Sequence, residues 1–269
     1  MKFTPRAIKD NVNVSSSPPL KDFFKLTLKI LGLILAVYIL LGFAVDFIAP
    51  RISVNTELKL SKVFVRDLKK AERTQTELQL QRILEELVKK SQGLPAFSYK
   101  VFVEDSKNVN AIALPGGNIV VFSSLLKEVK SENELAMVLA HELGHFYRRD
   151  HLRGLGRSLV FLLISSALFG NNNPASKFLA NAVTNAEMRF SQTQEKAADL
   201  YALELLNKTY GHVGGAVDFF ERMTSKQKLW PIFYIFASHP YPKTRVNALK
   251  KAITTKGYAS REKINFKYP

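Results

Sequence analysis

Three residues on one short stretch could do chemistry: His141 and His145, four positions apart, with Glu142 beside the first. On a helix that spacing sends both imidazoles out of one face, close enough to grip a single metal ion, and sets the carboxylate next to a metal-bound water. Two nitrogen ligands and a neighbouring base are the parts of a zinc hydrolase, and HExxH is its signature. The chain has no cysteine, so one catalytic Zn2+ would be held by nitrogen and oxygen alone, and disulfides are excluded.

Such a zinc needs a third protein ligand and an open position for water. His151 stands at the metzincin spacing from His141. That pattern wants a glycine where this chain has Arg148, because a tight turn must bring the third histidine back, so His151 is read as a surface or supporting residue. Glu195 is the better ligand. It lies four residues before Asp199 in a segment with helical apolar spacing at Ala198, Tyr201, Ala202 and Leu205. One carboxylate can then reach the metal while the other accepts the free N–H of a ligating histidine. Glu187 is a weaker rival.

These residues need rigid elements to carry them. Ser131 and Glu134 have capping-box spacing before an apolar stripe, which predicts a helix over 132–149. Upstream, residues 55–90 carry helical apolar spacing that ends at Gln92-Gly93-Leu94-Pro95, which predicts two helices. Between them lie three β-prone pieces, 99–103, 109–114 and 118–122, the last two joined by Pro115-Gly116-Gly117 as a hairpin. A strand beside a metal cleft can receive an extended peptide on its edge. Asn110 and Ala111 would sit there, and reading them as ordinary strand residues is equally open.

Residues 26–48 form an almost unbroken apolar run of about the twenty residues needed to cross a bilayer, with Lys29 and Asp46 near its ends. An uncleaved single-pass anchor is favoured over a signal peptide, because the preceding segment is long and contains Ser15-Ser16-Ser17-Pro18-Pro19. Basic residues exceed acidic ones before the span, which places the N-terminus in the cytoplasm and the catalytic domain on the other side, periplasmic in a bacterium. A second apolar run, 159–169, is about half the length of a span and reads as a core helix or a membrane-dipping segment. The domain plan is a tail over 1–25, the span over 26–48, and a peptidase domain over 52–269 with a helical part at 55–92 and a core at 97–253.

The net charge of +16 suits a polyanionic partner. Lipid headgroups beside the anchor account for it, and no nucleic acid is expected, since the basic C-terminal portion lacks the motif of a known module.

HELGH at 141–145, Glu195-Lys-Ala-Ala-Asp199, the hairpin from Asn110 to Gly117 and Ser238-His-Pro-Tyr-Pro-Lys-Thr-Arg245 together resemble the gluzincin metallopeptidases of the HtpX and CAAX prenyl protease group. The resemblance implies a zincin-like α+β fold, mostly helical with a small sheet. It implies His141, His145 and Glu195 as zinc ligands, Glu142 as general base and Asp199 as the group orienting a ligand histidine. It also implies that Asn110 and Ala111 engage the substrate backbone, and that His239 and Arg245 stabilise the oxyanion or hold the substrate. The expected activity is endoproteolysis of extended or misfolded polypeptides in membrane or envelope quality control. A catalytically silent tethered binding module is the alternative. CAAX processing, done inside a multi-span chamber, is not expected of a chain with one convincing span.

Overall fold

The computed structural model describes residues 19–65, 68, 73–170, 190–227, 239 and 243–268; Glu187, Pro240, Pro242 and most of the N-terminal tail lie outside them. The elements run α1 (Pro19–Ile48), a short 3-10 turn (Ala49–Arg51), α2 (Val54–Val65), α3 (Gln75–Lys90), β1 (Lys100–Glu104), β2 (Ala111–Leu114), β3 (Asn118–Phe122), α4 (Ser123–Glu128), α5 (Glu132–Arg148), α6 (Asp150–Phe169), α7 (Gln192–Tyr210), α8 (Asp218–Gln227) and α9 (Lys243–Lys256). This is the mostly helical α+β arrangement with a small sheet that the sequence predicts, and the two helices expected over 55–90 are α2 and α3.

The sheet has the order β1-β3-β2, with β1 parallel and β2 antiparallel to β3. The β2–β3 hairpin turns at Gly116 and Gly117, both at φ 80°, a backbone that side chains rarely adopt. A Cβ on Gly116 would lie 2.7 Å from Cβ of Ser61, and one on Gly117 would lie 2.6 Å from Cβ of Phe97, so the turn is also packed tightly under α2. The outer edge of β1 is met by side chains of α3: Val101 N–H donates to Gln81 and Val103 N–H to Glu77. Thr74 and Glu77 close a capping box that starts α3 at that height.

One face of the sheet, through Val101, Ala113, Ile119 and Val121, joins Leu80, Leu84 and Leu87 of α3 and Leu135, Leu139, Leu143 and Phe146 of α5 in the main core. The opposite face, through Ile112, Leu114 and Val120, packs on Leu155 and Phe190. Helix α5 is buried from Asn133 to Phe146. Its N-terminus is only half the predicted box. The Ser131 hydroxyl accepts from Glu134 N–H, but the Glu134 carboxylate turns to Lys130 N–H and the Arg222 guanidinium.

Among the described residues one helix, α1, is long and apolar enough to cross a membrane, and its apolar window is not buried against the rest of the protein. The second apolar run lies on α6, which packs along α1.

Candidate metal centre

Helix α5 presents His141 and His145 one turn apart, their Nε2 atoms 3.2 Å from each other. Helix α7 brings the carboxylate. Ser191 caps its first turn in a box closed by Gln194, which fixes the register in which Glu195 and Asp199 share a face. The two helices approach closely because Gly144 has no side chain: a Cβ there would stand 2.9 Å from Cα of Ala198. Glu195 therefore reaches both histidines, Oε2 lying 3.5 Å from His141 Nε2 and Oε1 3.5 Å from His145 Nε2. His239 completes the group, with Nδ1 2.9 Å from Glu195 Oε1 and 3.2 Å from His141 Nε2. One potential ligand atom from each of the four residues lies within 4.8 Å of the others, and all four are buried.

Each ligand histidine has a carboxylate behind it. His141 Nδ1 lies 3.0 Å from Asp199, and His145 Nδ1 lies 3.3 Å from Asp150. Such partners fix the imidazole so that Nε2 is left for a metal. Asp199 is itself gripped by Arg245, whose Nε and Nη2 donate to it at 2.8 and 2.7 Å while Nη1 pairs with Glu195. Arg245 thus faces the two carboxylates of α7, which is a different placement from the substrate-facing one that the family resemblance implies.

Asp150, which backs His145, is a site residue that the sequence reading missed. Helix α5 stops at Arg148 because Arg149 adopts the left-handed conformation, φ 60° and ψ 26°, and α6 begins at once with Asp150 turned back towards His145. Asp150 also accepts from Gln194, the residue that caps α7, and from Arg153. The turn is locked by Glu57 of α2, which is wholly buried and pairs with Arg149 at 2.6 Å, with His151 Nε2 at 2.8 Å and with Gly116 N–H at 2.8 Å. His151 is therefore a core residue serving the turn, and its expected surface position is corrected by that partner. The sequence signal for Asp150 was an acid immediately following a basic pair at the predicted helix end. Nothing in the sequence tied Glu57 to this place.

The electrostatics fit a cation. Burial works against the charge of Glu195, but His239, His141 and His145 around it hold its carboxyl well below the usual range. Burial likewise opposes charge on Asp199 and Asp150, and hydrogen bonds from Arg245 and His141 on the first, and from His145 and Gln194 on the second, hold both low. Burial lowers the His141 imidazole, yet Asp199 and Glu195 outweigh it and raise its pKa to about 10. Glu142 differs from these acids: burial raises its carboxyl, His239 and His141 oppose the rise, and Ala113 N–H of β2 donates to it. It also keeps a buried oxygen, Oε2, without a hydrogen-bond partner, as His239 keeps Nε2. Two histidines with carboxylates behind them and the Glu195 carboxylate, with the Glu142 acid beside them, are a donor set that suits a divalent metal.

This geometry agrees with a match between residues 74–253 and the family described as Peptidase family M48. The chain belongs to peptidase family M48. Similar M48 relatives include the mitochondrial metalloendopeptidase OMA1 of Arabidopsis thaliana, 36% identical over 42% of this chain and 23% of its own length. OMA1 of Schizosaccharomyces pombe is 29% identical over 65% of this chain and 52% of its own. The metalloprotease YcaL of Escherichia coli is 28% identical over 65% of this chain and 69% of its own. The chain thus spans a quarter to a half of the two OMA1 relatives, 23% and 52%. The matched residues contain the buried cluster of His141, His145, Glu195 and His239, which could hold a metal ion.

Asn110 precedes β2 and Ala111 begins it; β2 is the strand at the end of the order β1-β3-β2, and all four of its residues are buried. Phe122 N–H donates to Asn110 C=O, so by antiparallel alternation the backbone groups of Ala111 and Ala113 point away from β3. Ala113 uses its N–H on Glu142, which shows that this edge runs past the metal ligands. Phe190 closes the other side. Its ring stacks on His145 at 4.0 Å between centroids and 15° between planes.

Proposed function

We propose that this chain is a membrane-anchored zinc endopeptidase that cuts extended or misfolded polypeptides, in quality control at a membrane or envelope. The observation that carries this reading is the pair of histidines, each backed by a buried carboxylate, converging on Glu195 beside the buried acid Glu142, whose Oε2 has no hydrogen-bond partner. His141, His145 and Glu195 would hold Zn2+. When bound, zinc polarises the scissile carbonyl and brings the pKa of a coordinated water towards neutrality.

Glu142 takes the proton of the attacking water and delivers it to the leaving amine. The raised position of its carboxyl suits an acid that must accept and then release a proton. Ala111, whose backbone groups point away from β3, would pair with an extended peptide and fix the register of the scissile bond, and Asn110 would extend that contact. His239 donates to the oxyanion that develops on the peptide carbonyl. Arg245 serves by holding Asp199 and Glu195 in place.

Helix α1 anchors the protein, and the basic excess before it places the catalytic domain on the non-cytoplasmic side. The relatives named as mitochondrial metalloendopeptidases and as a beta-barrel assembly-enhancing protease support a role in membrane or envelope upkeep. The test is zinc content together with cleavage of an unfolded protein by wild type and Glu142→Gln. One zinc per chain in both, with cleavage only by wild type, supports the proposal. Equal cleavage by the variant overturns Glu142 as base, and a zinc-bound wild type that binds unfolded chains without cutting them makes the protein a silent binding module.

A further inference from the structure

Helix α6 changes character along its length. Its first part carries Asp150, Arg153 and Arg157, whereas residues 158–169 read SLVFLLISSALF and hold no charged group. Three contacts set its register on α1. Arg157 donates to Asp46 at 2.6 and 2.9 Å. A Cβ on Gly156 would lie 2.7 Å from Val45, and Phe161 meets the edge of Tyr38 at 6.4 Å between ring centroids. As residue numbers rise on α6 they fall on α1, so the helices are antiparallel, and the uncharged half of α6 runs back beside the apolar run of α1.

The apolar side chains of this half are open on more than one side of the helix. Leu163 is 67% exposed, as much as Leu33 of α1 at 66%, and Leu159, Phe161 and Leu168 are exposed as well. A soluble domain rarely leaves an apolar surface of this kind uncovered. Where the uncharged part begins, Arg153 and Arg157 stand beside Asp46, near the end of α1 that closes with Arg51. Basic side chains at one height and apolar ones beyond it are the pattern of a headgroup layer over acyl chains.

We infer that residues 158–169 of α6 are immersed in the same bilayer as α1, with lipid acyl chains covering Leu159 and Leu163 on one side of the helix and Leu168 on the other. This rests on the reading that α1 spans the membrane. Twelve helical residues reach about 18 Å, roughly half of a bilayer core, so the segment enters without crossing. Asp150, which backs the ligand His145, then lies about 12 Å along the helix axis from the first immersed residue. The metal centre is held at the membrane surface by the helix that supports its ligand. Its substrates are therefore chains lying at or leaving that surface.

The chain has no cysteine, so single cysteines can report position on the full-length protein. Leu33→Cys, Leu163→Cys and the exposed Lys127→Cys as an aqueous reference would each carry an environment-sensitive fluorophore in phospholipid vesicles. Quenching by acyl-chain nitroxide lipids is compared with quenching by aqueous iodide. The expected result is that the labels at 33 and 163 are both quenched several-fold more by the nitroxide than by iodide, with the reverse at 127. Lipid quenching at 33 with iodide quenching at 163 overturns the inference and leaves the anchor standing. A label at 163 shielded from both quenchers, with the shielding lost on dilution into excess lipid, overturns it in favour of a second copy covering that side of the helix. Iodide quenching at both 33 and 163 overturns the anchor and the inference together.

Discussion

His141 and His145 leave the same helix one turn apart, yet the carboxylates behind them arrive by different routes. Asp199 comes from α7, four residues after the ligand Glu195, and is clamped by the buried Arg245 of α9. Asp150 follows the ligand helix directly, turned back by the left-handed Arg149, and that turn is held by Glu57 from α2. The first support is built from helix periodicity and a buried ion pair, the second from a single backbone conformation and what locks it. A periodic helix face is robust to local change, while a left-handed non-glycine residue persists only where its surroundings hold it.

The largest effect is expected where the two supports meet. Glu195→Ala removes the carboxylate lying between both histidines, so metal content by atomic absorption should fall close to zero and cleavage to background. Next comes the distance between the helices. Gly144→Ala places a methyl against the α7 backbone, and overpacking of this kind costs about 1–3 kcal/mol, to be read as a lowered Tm with weakened metal retention.

The comparison itself is tested by Asp199→Asn against Asp150→Asn. Loss of an orienting partner typically weakens metal binding about 10–100-fold, and both variants should fall in that range by competition with a chelator. The Asp199 variant should lose more thermal stability, because Arg245 is buried, whereas Arg148 and Arg153 beside Asp150 are partly open to solvent. Equal losses of stability would mean that the Arg245 clamp is no stronger than the turn.

The smallest effect is pH-dependent and isolates the turn. Burial opposes charge on Glu57, but His151, the Gly116 N–H and Arg149 bring its carboxyl below the ordinary 4.5. A carboxyl depressed in the folded state contributes stability above its unfolded pKa and loses it as pH falls through the folded value. Glu57→Gln should therefore lower the Tm of the metal-free protein at pH 7, and the difference from wild type should shrink as pH drops below about 4.5. A difference that stays constant to low pH would show that the Glu57 charge does not hold the Arg149 turn.

Much of the centre was legible in the sequence because helix geometry turns spacing into direction. The four-residue steps from His141 to His145 and from Glu195 to Asp199 placed two pairs of side chains on common faces, and Ser131 and Pro115-Gly116-Gly117 marked a helix start and a hairpin. The rest was not, for separate reasons. Asp150 and His151 were hidden because the sequence marks the helix end near Arg149 but not the left-handed turn there that swings both residues back. Glu57 lies on a helix whose only sequence signal is periodicity, and a buried acid cannot be told from an exposed one until its partners are placed. Arg245 read as a substrate contact and proved to face Asp199 and Glu195. Phe190 gave no signal as a ring that stacks on His145.

The sequence by itself determined the metal-binding pattern, the helices that carry it, the hairpin and the apolar anchor. Each follows from the short-range periodicity of backbone geometry and needs no knowledge of neighbours. Only the tertiary structure decided which acid backs which histidine, that Gly144 sets the approach of α7 to α5, that Glu57 locks the turn, and that α6 lies along α1. Those are contacts between segments far apart in the chain, and their choice depends on burial and on the pairing of charges that burial demands.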